Sequence, residues 1–305
     1  MFLELPDLKP RNPYMSLALD EALALYYGKS SVSGGPRVRA IIRLWTNPYS
    51  IILGRTCQVE KNLIPEYIER FRVSQKKEIW SSRPLLCRRS SGGGTVLHGP
   101  GNLNYTITVS VDDFPELFSL RRSYEVFLGI VIRGLAAQGV IARQLGLSDL
   151  VIDEADGIPR KISGNAQFRK AGMISHHGTL LTRSDLIPFI SRYLTHPPEE
   201  PDYRQGRTHE SFLGSLPEHF DLSSFYNFLV SEISHMVGAG SDGLIPADHR
   251  KRIFYLAKRL VRSRYGQPDW IMKGTQGNTV QGRRASGNRA AQLNTQGELN
   301  AKKLC

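Results

Sequence analysis

The chain has 305 residues, of which 40% are hydrophobic, enough for one large or two ordinary domains with a sizeable core. Lys and Arg exceed Asp and Glu by 12, which favours acidic partners without choosing among nucleic acid, an anionic membrane and an acidic protein. The sequence lacks a run of eighteen apolar residues, and its first residues lack the basic start and apolar stretch of a secretory signal. We therefore expect a cytoplasmic protein that does not enter the membrane.

The first third of the chain predicts a helix followed by short strands. Residues 17–25 are rich in helix formers, and residues 38–45 and 50–53 are strand-like runs on either side of a turn that contains Pro48. Residues 69–84 are charged and serine-rich and are typical of a surface insertion. Apolar runs at 85–87 and 95–97 flank three glycines, which predicts a glycine hairpin, and the alternation over 104–109 predicts a further strand.

The rest of the chain predicts helices and strands in alternation. Residues 150–152 and 161–162 flank a turn and are expected to bring Lys161 to a sheet edge, and residues 172–181 form another strand. Helices are predicted at 119–135, 184–194 and 222–236, and a basic amphipathic helix carries its apolar stripe over 253–261. From about Lys273 the composition turns polar without apolar periodicity, which predicts disorder.

Cysteine usage favours a reducing compartment. Cys57, Cys87 and Cys305 are odd in number and widely separated, which fits neither a disulfide framework nor a zinc site. Cys87 lies in an apolar run and is expected in the core.

The glycine run is the strongest chemical signal in the sequence. Gly92, Gly93 and Gly94 lack Cβ atoms, so their backbone can adopt positive φ and bring N–H groups against a carboxylate or phosphate. The sequence after them lacks the Gly-Lys-Ser/Thr of a Walker loop. On spacing alone, a glycine-rich turn without a ligand remains the alternative.

Three segments together resemble a known family. Residues 88–98 with 101–105, residues 161–166 and residues 176–181 are similar, in the same order, to the three motifs of lipoate-protein ligases in the biotin/lipoate ligase superfamily. The resemblance implies an α+β fold with a mixed, mostly antiparallel sheet packed with helices, related to biotin ligases and class II synthetases. It covers residues 1–270 as one catalytic domain and leaves residues 271–305 as a basic tail that is predicted to be disordered.

The resemblance also implies a reaction in two steps. Lipoate and ATP give lipoyl-AMP and pyrophosphate, with Mg²⁺ as a cofactor, and the lipoyl group then passes to a lysine of an acceptor lipoyl domain. The acceptor would be a 2-oxoacid dehydrogenase E2 subunit, a glycine-cleavage H protein or a similar carrier. An acidic acceptor would account for the basic charge, so nucleic acid is the less favoured partner.

Roles carry over from the family to matching positions. Lys161 is the expected catalytic cation, since its ammonium can contact both the acyl oxygen and the α-phosphate, and Asp149 is the expected Mg²⁺ ligand. Arg88 is expected to be structural. The residues expected to bind ATP or lipoyl-AMP, besides Lys161, are Arg89, Gly92, Gly93, Gly94, Thr95, Val96, Leu97, His98, Asn102, Ser163, Gly164, Ala166, His177, Gly178 and Thr179.

The chain departs from the family pattern after Trp270, where many members continue into a small accessory domain. Either a separate accessory polypeptide is needed, or the protein transfers octanoyl or lipoyl groups between carriers without forming an adenylate. Such transferases use a cysteine nucleophile, and residues 143–148 contain none. Cys57 stands where glutamine is more usual. A second alternative is a non-enzymatic nucleic-acid-binding module built on the basic helix and tail.

Overall fold

The computed structural model describes residues 1–32, 37–74 and 84–274 of the chain. The part of the insertion at 75–83, the tail from residue 275 and Cys305 lie outside the described residues. In the described part, the helices are α1 (Pro13–Val32), α2 (Val59–Asn62), α3 (Pro65–Ser74), α4 (Leu120–Ala136), α5 (Ile187–Ile190), α6 (His209–Phe212), α7 (Leu222–Val237), α8 (Ala247–Leu260) and α9 (Pro268–Lys273). None of them is both long and apolar enough to cross a bilayer.

The described strands form two sheets. They are β1 (Phe2–Asp7), β2 (Ala40–Trp45), β3 (Ser50–Leu53), β4 (Leu85–Arg88), β5 (Val96–His98), β6 (Asn102–Ser110), β7 (Ala142–Leu145), β8 (Asp149–Asp153), β9 (Pro159–Lys170) and β10 (Met173–Leu181). The large sheet has the order β1-β2-β6-β10-β9-β8-β7, and only its β1–β2 pair is parallel. The small sheet has the order β4-β3-β5. The predicted α+β class with a mostly antiparallel sheet is confirmed.

Helices cover both faces of the large sheet. Leu103, Tyr105, Ile107 and Val109 alternate along β6 and share a core cluster with apolar residues of α4 and α7. The intervening Asn104, Thr106 and Thr108 are equally buried, because α1 covers the opposite face. The alternation in β6 therefore separates an apolar core from a buried polar layer, and that polar layer lies at the site described below.

The glycine hairpin predicted at residues 85–97 is wrong. β4 and β5 do not pair with each other, because β3 lies between them, parallel to β4 and antiparallel to β5. Two strands that follow each other in sequence usually pair, but here a strand from earlier in the chain takes the place between them. The connection of residues 89–95 must therefore cross the end of β3.

The prediction that Lys161 lies at a sheet edge is also wrong. β9 is an interior strand with β8 on one side and β10 on the other. The predicted turn before it is present, and a register shift opposite Leu150 and Val151 separates Lys161 from Ser163. The strands β1 and β7 lacked a signal in the sequence analysis, since β7 has four residues and β1 contains Pro6.

Candidate active site

The connection of residues 89–95 forms a glycine loop over the end of β3. Arg55 N donates to Ser91 O at 2.9 Å, and the Cys57 thiol donates to Gly93 O at 3.3 Å. Of the three glycines, only Gly93 has positive φ, at +84°. The chain after β3 thus holds the loop down through two separate bonds.

The Arg89 guanidinium fills the inside of the glycine loop. It donates to Gly92 O at 2.6 Å, to Gly94 O at 2.8 Å and to Ser91 Oγ at 3.0 Å. Burial lowers the pKa of Arg89 to about 10, so the side chain is still charged at neutral pH. A buried cation that binds loop carbonyls fixes the loop shape and leaves positive charge beneath it.

Arg88 points away from the site and joins distant parts of the backbone. Its side chain donates to the carbonyl oxygens of Gly54, Arg55, Cys57, Ile271 and Met272 at 2.7–3.1 Å. Burial lowers the pKa of Arg88. These bonds connect α9 to the small sheet, which agrees with the structural role expected for this arginine.

Lys161 forms an ion pair with Asp149 across the β8–β9 pair. Its Nζ lies 2.9 Å from Asp149 Oδ1, and the side chains of Lys161 and Asp149 are 24% and 11% exposed. Gly164 pairs with Asp149 in register, and a Cβ on Gly164 would lie 3.2 Å from Lys161 Nζ. The lysine therefore folds back over the glycine of its own motif, which gives a physical reason for the glycine at that position.

Two adjoining cavities meet at Lys161. The inner cavity, about 120 Å³, extends toward apolar side chains of α1 and the strands β2 and β3, including Leu17, Trp45 and Ile52. The outer cavity, about 290 Å³, extends toward residues 190–213 and includes Arg204 and His209. Both cavities share a wall that consists of Gly94, Thr95, Val96, Ser148, Asp149, Lys161, Gly164 and Thr179.

Most residues expected at the site line one of these cavities. Arg89, Gly93, His98, Ala166 and His177 line the inner cavity, and Leu97, Asn102 and Ser163 line the outer one. The other matches lie in the shared wall and are Gly94, Thr95, Val96, Asp149, Lys161, Gly164 and Thr179.

Two expected residues line neither cavity. Gly92 is exposed at the outside of the loop. Gly178 lies behind the site, where a Cβ would meet Asn165 Oδ1 at 1.9 Å and Tyr105 Oη at 2.5 Å.

Histidines line the inner cavity in their neutral form. Burial lowers the pKa of His98 to about 3, and burial with the nearby Arg89 charge lowers the pKa of His177 well below its ordinary value. The Asn47 amide donates to His98 Nδ1 at 3.1 Å, and Ser91 Oγ lies 2.7 Å from His177 Nε2. The inner cavity thus has neutral polar and apolar walls, and its charged groups are at the glycine loop and the shared wall.

Sequence analysis missed three side chains that shape the site. The Trp45 indole donates to Thr106 Oγ1 at 3.1 Å and forms part of the inner wall. Asn165 donates to Ser148 O at 2.8 Å and so holds the loop before Asp149. Tyr203 donates to Asp149 Oδ2 at 2.8 Å. Their partners are 17 to 61 residues away, so no local pattern could have indicated these contacts.

Metal-ligand and thiol candidates are few. Among residues 1–32, 37–74 and 84–274, no group of three His, Cys, Asp or Glu side chains could hold a metal ion unaided. Asp149 suits only a Mg²⁺ site that is completed by phosphate oxygens and water. In the same ranges neither cavity is lined by a cysteine, since Cys87 is buried in the core and Cys57 contacts the glycine loop from outside.

Comparison with known proteins identifies a family and a relative to which this chain is similar in sequence. Residues 12–234 match the model of the lipoyl protein ligase A/B catalytic domain. A lipoate-protein ligase A from Blochmanniella pennsylvanica (strain BPEN) is 30% identical over 197 residues, which are 65% of this chain and 48% of that protein. The chain thus matches about half the length of this curated relative.

Solved structures share the fold. The bipartite lipoate protein ligase of Thermoplasma acidophilum, described with its E2 lipoyl domain, superposes with a TM-score of 0.67 at 23% identity, covering 92% of this chain and all of that one. A lipoate-protein ligase A bound with ATP superposes with a TM-score of 0.62 at 23% identity, covering 89% of this chain and 97% of that one.

Proposed function

The chain belongs to the family of the lipoyl protein ligase A/B catalytic domain, and from this premise we propose that it activates lipoate with ATP and transfers the lipoyl group to a protein lysine. The observation that carries the proposal is the position of Lys161 where the two cavities meet. A reaction between two anions needs a fixed positive charge between them. The inner cavity would take the acyl chain and the outer cavity the nucleotide.

The first step joins a carboxylate to a phosphate. A lipoate oxygen attacks the α-phosphorus of ATP, a new P–O bond forms, and the bond to pyrophosphate breaks as pyrophosphate leaves. The Lys161 ammonium would bind the acyl oxygen and an α-phosphate oxygen as they approach each other. Arg89 would act indirectly by fixing the shape of the glycine loop, because its donors are already bound to loop carbonyls.

The second step moves the acyl group to the acceptor. The acceptor lysine amine attacks the acyl carbon and loses a proton, and the C–O bond to AMP breaks. Neutral His98 and His177 would contribute hydrogen bonds and no charge to the inner cavity. Mg²⁺ would be held by Asp149 with the phosphates and would neutralise part of their charge.

The proposed partners follow from the same reaction. We infer an acceptor lipoyl domain of a 2-oxoacid dehydrogenase E2 subunit, of a glycine-cleavage H protein or of a similar carrier, in keeping with the E2 lipoyl domain described for the Thermoplasma acidophilum ligase. A separate accessory polypeptide is a further proposal, since that ligase is described as bipartite. An acidic acceptor would complement the net charge of +12.

Mass spectrometry of an acceptor lipoyl domain tests the proposal. The chain is incubated with the domain, lipoate, Mg²⁺ and either ATP or no nucleotide, with and without a candidate accessory protein. We expect the mass gain of one lipoyl group only with ATP. A parallel incubation without nucleotide replaces free lipoate with an octanoylated or lipoylated carrier protein, and a gain there would instead indicate acyl transfer with release of the carrier. No gain in any of these incubations would count against both activities.

A pair of lysine variants connects the activity to the site. Lys161→Ala is expected to lower the rate of modification roughly a hundred- to a thousand-fold. Lys170→Ala is the matched control, because Lys170 lies on the same strand but is 46% exposed and pairs with Glu21 outside both cavities. Equal rates for the two variants would contradict the role of Lys161.

A further inference from the structure

A tyrosine that lies between two lining residues of the outer cavity, Pro201 and Arg204, binds the carboxylate that holds Lys161. The Tyr203 hydroxyl donates to Asp149 Oδ2 at 2.8 Å, while Lys161 Nζ lies 2.9 Å from Oδ1 of the same group. Each oxygen of Asp149 therefore has its own strong partner, and the Asp149 side chain is 11% exposed. Bulk water competes little for either bond.

The backbone around Tyr203 is held firmly against β9. Arg207 donates to Tyr203 O at 2.8 Å and to Pro159 O at 2.9 Å, and Pro159 is the first residue of the strand that carries Lys161. The Tyr203 ring also packs on Phe212, with ring centroids 5.3 Å apart. The hydroxyl thus reaches Asp149 from a fixed position.

We propose that Tyr203 is a positioning residue for adenylate formation. Its hydroxyl holds the Asp149 carboxylate in the orientation in which one oxygen alone binds Lys161. The inference rests on the function proposed above and adds a residue to it. An ammonium has three donors, and one bond to Asp149 leaves two for the acyl oxygen and the α-phosphate. The hydrogen-bond geometry of Tyr203, Asp149 and Lys161 thus sets how many Lys161 donors face the substrates.

Removal of the Tyr203 hydroxyl is expected to move Lys161 Nζ in one direction. Asp149 Oδ2 would lose its donor while it remains buried, and buried carboxylate oxygens are normally hydrogen-bonded. The carboxylate can turn so that both oxygens face Lys161, which draws Nζ toward Asp149 and away from the cavity junction.

Tyr203→Phe tests the proposal, with Tyr226→Phe as its matched control. Tyr226 also donates to a carboxylate at 2.8 Å, that of Glu4, in a partly buried place away from both cavities. We expect kcat for lipoate-dependent pyrophosphate release to fall roughly tenfold to a hundredfold in Tyr203→Phe, the loss expected for one hydrogen bond to a charged group. The KM of Tyr203→Phe for lipoate should remain within about twofold of wild type. The kcat of Tyr226→Phe should also remain within about twofold of wild type, a change well below the effect of one such bond.

Two results would overturn the inference. One is a Tyr203→Phe enzyme with unchanged kcat, and the other is an equal loss in both tyrosine variants, which would point to stability alone. A wild-type enzyme that releases no pyrophosphate either alone or with a candidate accessory protein would instead remove the proposed function. A measurement that needs no turnover separates the cases: trace acylation with an amine-reactive reagent, read by mass spectrometry, should modify Lys161 more slowly in Tyr203→Phe while Lys170 is unaffected. Equal Lys161 reactivity in both proteins would contradict the proposed geometry.

Discussion

Gly54 lies directly beneath Gly93, and a Cβ on Gly54 would come within 1.8 Å of the Gly93 carbonyl oxygen. The contact follows from the order of the small sheet, because the glycine loop must cross the end of β3 to connect β4 with β5. Gly54 comes directly after β3, at the crossing point. The loop can lie this low only if that residue has no side chain.

Gly54→Ala is therefore expected to lift the glycine loop. The obstructing atom is a backbone carbonyl, which cannot turn aside as a flexible side chain would. A displacement of about 1 Å in a substrate-positioning loop lowers rates roughly a hundredfold, so we expect a loss of that order in pyrophosphate release. Gly240→Ala is the control, because a Cβ there meets nothing within 4 Å. Full activity in Gly54→Ala would show that the loop does not position substrate.

The sequence predicted the elements of this site better than their arrangement. The strand residues of β3, β4 and β5 were recognised from their apolar runs, but the glycine hairpin was wrong because pairing depends on β3, more than 30 residues upstream of β4. Hydrophobic pattern indicates that a strand exists, and the register is decided by packing of the whole domain. The resemblance could place Lys161 and the glycine loop at one site because it carries three-dimensional information that periodicity lacks.

Sequence analysis missed these site residues for one physical reason. Trp45 was recognised only as part of a strand, and Tyr203 lay in a segment without periodicity. Each acquires its role through a bond to a residue far along the chain, Thr106 for Trp45 and Asp149 for Tyr203. Composition and spacing describe neighbours in sequence, so contacts of this kind appear only after folding.

Gly164→Ala is expected to affect catalysis more than folding. A Cβ would lie 3.2 Å from both Cε and Nζ of Lys161, so the end of this flexible side chain must move by a few tenths of an ångström. We expect kcat for adenylate formation to fall roughly tenfold, less than the loss for a full 1 Å displacement. Gly129→Ala is the control, since its Cβ would approach Arg133 Nη1 at 3.3 Å on α4, away from both cavities. A similar fall in both variants would contradict the prediction.

Buried neutral histidines should make the protein sensitive to acid. The pKa of His98 is about 3 in the folded protein and about 6.5 when unfolded, so between these values the unfolded chain binds more protons. Stability is then lost as pH falls below about 6.5, and His98 alone lowers the free energy of unfolding by about 2 kcal/mol between pH 7.5 and pH 5.0. Urea unfolding at the two pH values measures this loss.

A histidine variant isolates that contribution. His98→Gln removes the titrating group, and the difference between the two pH values should shrink by about the amount assigned to His98. His219→Gln is the control, because His219 is exposed in the loop before α7 and lines neither cavity. An unchanged pH difference in His98→Gln would mean that His98 is protonated equally in both states.

The ion pair beneath α1 provides a separate test of stability. Arg43 is fully buried and lies 2.5 Å from Asp20 Oδ1, and Thr106 donates to the other Asp20 oxygen at 2.9 Å. The same guanidinium lies 4.6 Å from the ring centre of Trp45, so the pair supports a wall of the inner cavity. Removing one member of a buried pair leaves the other charge without its partner.

Asp20→Ala should consequently lower the free energy of unfolding by about 3–5 kcal/mol, because Asp7, 3.4 Å from Arg43, compensates the remaining charge only weakly. Asp153→Ala is the control, since its bond to Arg143 joins two side chains that are each 47% exposed, and the unfolding midpoint should barely change. Chemical unfolding of the three proteins at one pH measures both effects. A small effect of Asp20→Ala would mean that water enters beneath α1 and solvates Arg43, in which case Trp45 would lack the fixed support described above.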